Sequence, residues 1–414
     1  MYLRKNIIKS IPGVTSFYRL LKSSSRIARR NYKRFTFDEN LSRNELKISG
    51  WKNLFSGYYD NSPFQPENDK ILLLHANQQS AWKKPTGKNL TSILLVDWQK
   101  QKVIRELGQT RAWNWQQGSR AIWINKKQII FNDYDKSENK YISRLFSVEG
   151  EELLRLPIPL QAWDGVKGRI YSFKYEALTH FRSDYGYFNH KVNDYNFEDN
   201  KIESYSLESG KLETHVTVRN LIESTDFDRK KMRQLRLNHI MISPNGEKLI
   251  FLFRYQVEGR TVSDLYLLTI NTGVLDCLLH DCGVSHYCWH NNNAVIMTMK
   301  GDNGFGYYKI DINTLRLDLL VLASDGHPSM LTNSIIITDS YPDKYAVRYL
   351  RAITLSGNNK INNLSAFTEP LLFHGVTRCD LHPSISKTGN WIQVDIASSH
   401  DRTVSIIKNP FSIR

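Results

Sequence analysis

The chain has 414 residues, 41% hydrophobic and 12% aromatic, so it can bury a large core and is not a disordered polymer. Its formal charge is +15, yet ten lysines and arginines and no acid fall within residues 1–35, which leaves +5 for all that follows. The basic character therefore belongs to one terminus. Beyond residue 35 there is no zinc-finger spacing and no ribonucleoprotein motif, so nucleic-acid binding is not expected of the body.

In residues 1–35 the run "NIIKSIPGV" is interrupted by Lys9, Pro12 and Gly13 and lacks the apolar core of a signal peptide. No stretch of the chain approaches the roughly 20 apolar residues of a membrane span. Leu20, Leu21 and Ile27 among the charges suit peripheral contact with an anionic membrane surface. The expected location is the cytoplasm, at the inner membrane face. Cys277, Cys282, Cys288 and Cys379 have no disulfide-framework spacing, which fits a reducing compartment.

After this extension a pattern recurs: a polar turn, then a β-rich apolar run. It reads "PENDKILLLHAN", "NKKQIIFNDYD", "VKGRIYSFKYE", "PNGEKLIFLFRY", "NNNAVIMTMKGD", "LTNSIIITDSYPD" and "KTGNWIQVDIASS". Each copy is followed by a strand, a turn and the start of another strand, the last copy being the truncated "RTVSIIKNPF". Seven such units predict an all-β fold, a seven-bladed β-propeller. Its expected span is 46–414, behind a basic N-terminal extension at 1–45. Two insertions interrupt it, a Tyr-rich stretch at 178–200 and a short helical excursion at 219–238.

In a propeller blade the start of the innermost strand and the end of the second strand meet at one mouth of the channel. The innermost starts of blades four to seven read "LNHIMIS", "VSHYCWH", "DGHPSML" and "RCDLHPS". They bring His239, His286, His327 and the Cys379/His382 pair to equivalent places on the rim. The second-strand ends add His75, Asp133, Lys174, Arg254, Asp339 and Tyr341. Single polar residues in a channel are commonly satisfied by water, but histidine at one register of four consecutive blades points to a metal. His327, Cys379 and His382, with His286 as fourth ligand or as a free base, form a set that suits a borderline-soft divalent ion such as Zn²⁺, which accepts N and S ligands tetrahedrally. Asp380 is expected behind the ligands, orienting an imidazole. In "RAWNWQQG" Trp113 and Trp115 share one face, and Asn114 and Gln116 the other. Blade packing is one use for them; stacking on sugar rings is the other, with Arg111 beside them to meet an acidic sugar.

The segments "VSH" (284–286), "DGHPS" (325–329), "TDSYPD" (338–343) and "RCDLHP" (378–383), in that order, resemble the seven-bladed propeller polysaccharide lyases. Oligogalacturonate lyase is the nearest type and ulvan lyase the next. The resemblance implies a divalent metal at the channel mouth, with His327 and His382 at ligand positions and His286 at the position of the base. Arg254 or Arg260 stands where that family has an arginine near the substrate. Cys379 replaces a glutamine ligand and Ser384 a histidine ligand, departures that imply a softer metal, nearer Zn²⁺ than Mn²⁺, as in ulvan lyase-like propellers where the metal is structural.

The implied chemistry is β-elimination from an acidic, uronic-acid-containing polysaccharide or oligosaccharide. The proton α to the carboxylate leaves only if the carboxylate charge is neutralised, the role expected of Arg254. His286 or His239 is the expected base, and Tyr59 or Tyr341 the group that protonates the leaving oxygen. The competing expectation is a non-catalytic propeller, binding glycan or protein in cell-envelope polysaccharide assembly around a structural metal.

Overall fold

A computed structural model describes residues 41–411 except 190–198, 226, 356, 358, 371 and 399. The basic segment 1–35, with its expected membrane contact, lies outside the described residues, as does part of the 178–200 insertion. Among the described residues no helix is long and apolar enough to cross a membrane.

The strands form seven antiparallel sheets, each of at least four strands, which are the blades of a seven-bladed β-propeller. Blade four shows why the sequence folds this way. Its second and third strands, Lys248–Val257 and Arg260–Thr269, are almost continuously buried. Leu249, Phe251 and Phe253 pack with blade three, whereas Ile250 and Leu252 pack with blade five. Side chains alternate across a strand, so a strand sandwiched between two blades buries both faces. The outermost strand, Val274–Leu279, has one neighbour fewer and is largely exposed.

Blade seven consists of Ser384–Ile385, Trp391–Ala397, Arg402–Lys408 and, outermost, Arg43–Glu45 from the other end of the chain. Arg43 lies opposite Ile407 and Glu45 opposite Ser405. The boundary expected at residue 45 is thereby corrected, because these three residues close the ring. The truncated seventh repeat needed a strand that its own segment does not contain.

The two insertions contain short helices, α1 (Tyr175–Phe181) and α2 (Val218–Glu223). Thr217 caps α2, its hydroxyl accepting from the Asn220 N–H at 3.2 Å. The excursion expected to run to 238 ends earlier: Met232–Ile242 is the innermost strand of blade four. Its register against Lys248–Val257 places Arg236 opposite Arg254, with irregularities on both sides.

Blade one departs from the others in a way that matters at the axis. Its innermost strand is broken into Asn53–Phe55 and Phe64–Gln65, both paired with Asn68–Asn77. Between the two pieces the chain leaves the sheet at Ser56 and Gly57. Their N–H groups donate to the Asp395 carboxylate of blade seven at 2.9 and 3.2 Å. Gly57 has φ +117°, and a Cβ there would come within 2.9 Å of the Gln117 carbonyl oxygen. This detour carries Tyr58 and Tyr59 into the channel.

Candidate metal and active site

Four histidines from blades four to seven gather around Tyr58 and Tyr59. Ring centroids are 4.2 Å apart for His286–His327, 4.4 Å for His327–His382 and 6.4 Å for His239–His286. Tyr58 meets His239, His327 and His382 edge-on at 5.4, 5.9 and 4.9 Å. Tyr58 was not legible as a site residue, because it enters through an interruption of the repeat. His239 and His382 have left-handed backbones, φ +61° and +44°. Such a conformation costs a non-glycine residue about 1–3 kcal/mol and is characteristic of sites where the surroundings over-determine the geometry.

Carboxylates fix how two of the rings present themselves. His327 Nδ1 lies 2.9 and 3.0 Å from the two oxygens of Asp339, which also accepts from the His327 backbone N–H at 2.8 Å. Asp339 accepts as well from the His382 N–H at 3.2 Å. His286 Nδ1 lies 3.1 Å from Asp325, whose carboxylate also accepts from Ser285 Oγ, Thr298 Oγ1 and the Gly326 N–H at 2.6, 2.7 and 2.9 Å. Each carboxylate holds the proton on Nδ1 and leaves Nε2 as the lone-pair nitrogen.

The Nε2 atoms of His327 and His382 are buried and have no hydrogen-bond partner. Together with a carboxylate oxygen of Asp380 they form a donor group whose atoms lie within 4.8 Å of one another. An unsatisfied buried imidazole nitrogen is costly, and two facing an acid are donors of the kind a divalent cation requires. The residues fit a metal. They do not fit the expected thiolate. Cys379 lies in an apolar cluster with Phe55, Trp113, Trp115 and Phe373, where burial pushes its thiol up to about 12. Without sulfur, two imidazoles and a carboxylate accept Mn²⁺ and Zn²⁺ alike, so the preference for Zn²⁺ loses its basis. Asp380 is a candidate ligand rather than a residue behind the ligands. Burial works against its ionisation, yet Arg378 and Arg348, at 2.6 and 2.7 Å, hold it well below the usual carboxylate range.

Protonation follows the environment of each ring. Burial lowers His286, helped by His327 and opposed by Asp325. Burial also lowers His239 and His382. In His327 the burial penalty is more than offset by Asp339, and the ring is raised above its ordinary value.

Arg254 is 9% exposed and held by Ser263 Oγ at 3.1 Å and the Val284 carbonyl at 2.8 Å, two residues before His286. Arg236, across the strand pair, is 5% exposed, and its Nε has no partner. Neither forms an ion pair with a carboxylate among the described residues. Burial, then Arg254 and Arg182, bring Arg236 down to about 9. Two buried guanidiniums without acids are expensive unless an anion joins them.

Other expected site residues are placed differently. Tyr59 is not free to give up a proton. Its hydroxyl donates to the Tyr287 carbonyl at 2.9 Å and contacts the Tyr287 N–H and His239 Nε2 at 3.2 and 3.1 Å. With that hydroxyl already donating, His239 Nε2 is its donor, so His239 is anchored by Tyr59. Tyr341 does lie in the group, 6.4 Å from His286 and 5.9 Å from His327, and burial raises its phenol so that it stays protonated. Trp113 and Trp115 are buried edge-to-face at 4.9 Å, their indole N–H groups on the carbonyls of Asn89 and Lys83 at 2.9 Å each. The Asn114 side chain accepts from the Gln116 and Gln117 N–H groups and donates to the Tyr185 carbonyl. These three residues are turn and core, unavailable to a sugar. Arg111 takes no part in the contacts that build the histidine cluster; its backbone N–H donates to Asp133 at 3.1 Å. Arg260 is exposed and ion-paired with Asp281.

Neither a protein-family model nor a curated protein sequence matches the chain. Solved structures do. An oligogalacturonate lyase in complex with manganese aligns with TM-score 0.60 and 12% identity, covering 89% of this chain and 96% of that one. Oligogalacturonate lyase from Vibrio parahaemolyticus gives the same TM-score and identity, over 89% and 97%. The β-propeller domain of the trilobed protease from Pyrococcus furiosus aligns at 0.51 with 8% identity, over 87% and 96%. The chain is a seven-bladed propeller with a lyase-like fold, distantly similar to the oligogalacturonate lyases. At these identities the likeness establishes the fold.

Proposed function

We propose that the protein cleaves an acidic, uronic-acid-containing glycan by β-elimination at the histidine mouth of the channel. The observation that carries this reading is the pair of buried guanidiniums without an ion pair among the described residues, Arg236 and Arg254, the latter held on the carbonyl two residues before His286. Here a carboxylate finds countercharge within reach of an oriented base. Arg254 neutralises the substrate carboxylate, which acidifies the neighbouring C–H. His286, its Nδ1 proton held by Asp325, takes the proton from the α carbon on Nε2. The α–β double bond forms as the glycosidic oxygen leaves the β carbon, and that oxygen takes the proton of the Tyr341 phenol. A divalent metal, when bound by His327, His382 and Asp380, would supply further positive charge for a carboxylate oxygen.

The test is incubation with polygalacturonate and other uronate polymers, following the ultraviolet absorbance of the unsaturated product. Product from the wild type and none from His286→Ala supports the reading. Binding of a uronate polymer without product, by a protein that holds its metal, would instead support the non-catalytic glycan-binding propeller. The expected inner-membrane-face location stands beside this as a proposal, supported by the charge of residues 1–35. Its check is co-sedimentation of the full chain, and not of a version lacking 1–35, with phosphatidylserine vesicles.

A further inference from the structure

After α1 the chain turns back toward Tyr58. The N–H groups of Tyr185 and Gly186 donate to the Arg182 carbonyl at 2.8 and 3.1 Å. A Cβ on Gly186 would stand 2.3 Å from the Thr179 backbone, so the turn is seated tightly. The Tyr185 ring meets Tyr58 edge-on at 5.7 Å, which puts this segment against the histidine site.

At its tip, Asp184 accepts from Arg182 Nε and Nη2 at 3.0 and 2.9 Å, and from Arg378 Nη1 at 2.8 Å. Both guanidiniums lie over the Tyr185 ring, 4.7 and 5.6 Å from its centre. A carboxylate clamped between two arginines on an aromatic face is how an acidic sugar would be held. Arg378 also pairs with Asp380 of the candidate metal group at 2.6 Å. Arg182 and Arg378 thus share Asp184, and Arg378 and Arg348 share Asp380, while Arg236 and Arg254 form an ion pair with neither. Only Asp184 comes from an insertion rather than from a blade.

We propose that the notch between Arg182 and Arg378 is a carboxylate subsite occupied by the chain's own Asp184, which an incoming acidic ligand displaces. This rests on the acidic-glycan reading and adds to it an internal competitor that sets affinity. A ligand with acids on successive units would place one on Arg254 and Arg236 and a second in the notch. A single acidic unit would have no reason to displace Asp184.

The probe is trigalacturonate, titrated calorimetrically into the full-length protein. Asp184→Asn is expected to bind it about tenfold tighter than the wild type, since the ligand no longer competes with a charge-assisted contact. Asp184→Glu, which keeps the charge, should gain little, and adding Arg182→Gln to Asp184→Asn should remove the gain. Equal or weaker binding by folded Asp184→Asn overturns the proposal. Should that variant not fold, hydrogen exchange on the wild type decides. Trigalacturonate should speed exchange at the Tyr185 and Gly186 amides, and unchanged or slower exchange overturns the proposal. Wild-type binding that Arg254→Gln abolishes, without a gain in Asp184→Asn, leaves the acidic-glycan reading standing alone. No binding by either protein sinks both.

Discussion

The loop at 111–120 and the histidine cluster look alike in sequence, each an aromatic and polar run at the inner edge of a blade, yet their side chains are arranged differently. In the loop, Trp113 and Trp115 have their N–H groups on carbonyls, and the Asn114 amide closes a turn. His75, under the same loop, has Nε2 on the Ser119 N–H at 2.8 Å. In the cluster, His327 and His382 keep their Nε2 atoms unpartnered, and Arg236 and Arg254 form no ion pair among the described residues. Unpartnered buried atoms occur in and under the loop as well, at His75 Nδ1, Gln116 Oε1, Gln117 Oε1 and Arg120 Nε, but in the cluster two imidazole nitrogens and a carboxylate oxygen converge. Convergence, and not residue type, is what separates the two regions.

The sharpest break of this contrast is His286→Ala, expected to lower elimination about 10²–10⁴-fold while leaving the folded state in place. Turnover rate and far-ultraviolet circular dichroism measure the two sides. If the rate survives, the cluster is no more catalytic than the loop. For the loop the large effect is on stability. Trp113→Ala should cost about 3–5 kcal/mol in urea unfolding, with glycan affinity per folded molecule unchanged.

The acid response of the loop follows from His75. Burial lowers its ring to about 4, against an ordinary 6.5. Below pH 6.5 the unfolded chain binds a proton that the folded chain refuses, so stability falls as pH drops from 6.5 toward 4, by up to about 3 kcal/mol. His75→Gln should flatten that part of the stability profile measured by urea titration at stepped pH. Gly118 covers the same ring at φ +58°, and a Cβ there would lie 2.2 Å from it. Gly118→Ala should therefore lower stability by about 1–3 kcal/mol. The smallest effect expected is none: elemental analysis should find metal lost in His327→Ala and retained in Cys379→Ser. Loss in the serine variant would return sulfur to the ligand set.

Much of the architecture was legible, because blade strands are buried on both faces and their apolar runs recur between local turn signals. Histidine convergence was legible too, since one register of equivalent strands meets one mouth of the channel. Asp380 as a candidate ligand had a visible signal: two residues from His382, it shares a face with it in extended chain, whereas Cys379, three away, faces the other side. Three things had no local signal. Arg43–Glu45 closes blade seven from the far end of the chain, Tyr58 enters through a broken strand, and Asp184 reaches Arg378 across 194 residues.

By itself the sequence determined the repeat, the number of blades and the ring of imidazoles, because each depends on alternation and turn chemistry within a few residues. The tertiary structure decided which polar atoms were satisfied and which were left over. The His327 hydrogen bond to Asp339, or the lack of one at Arg236 Nε, depends on which side chains, separated along the chain, arrive at the same few ångströms.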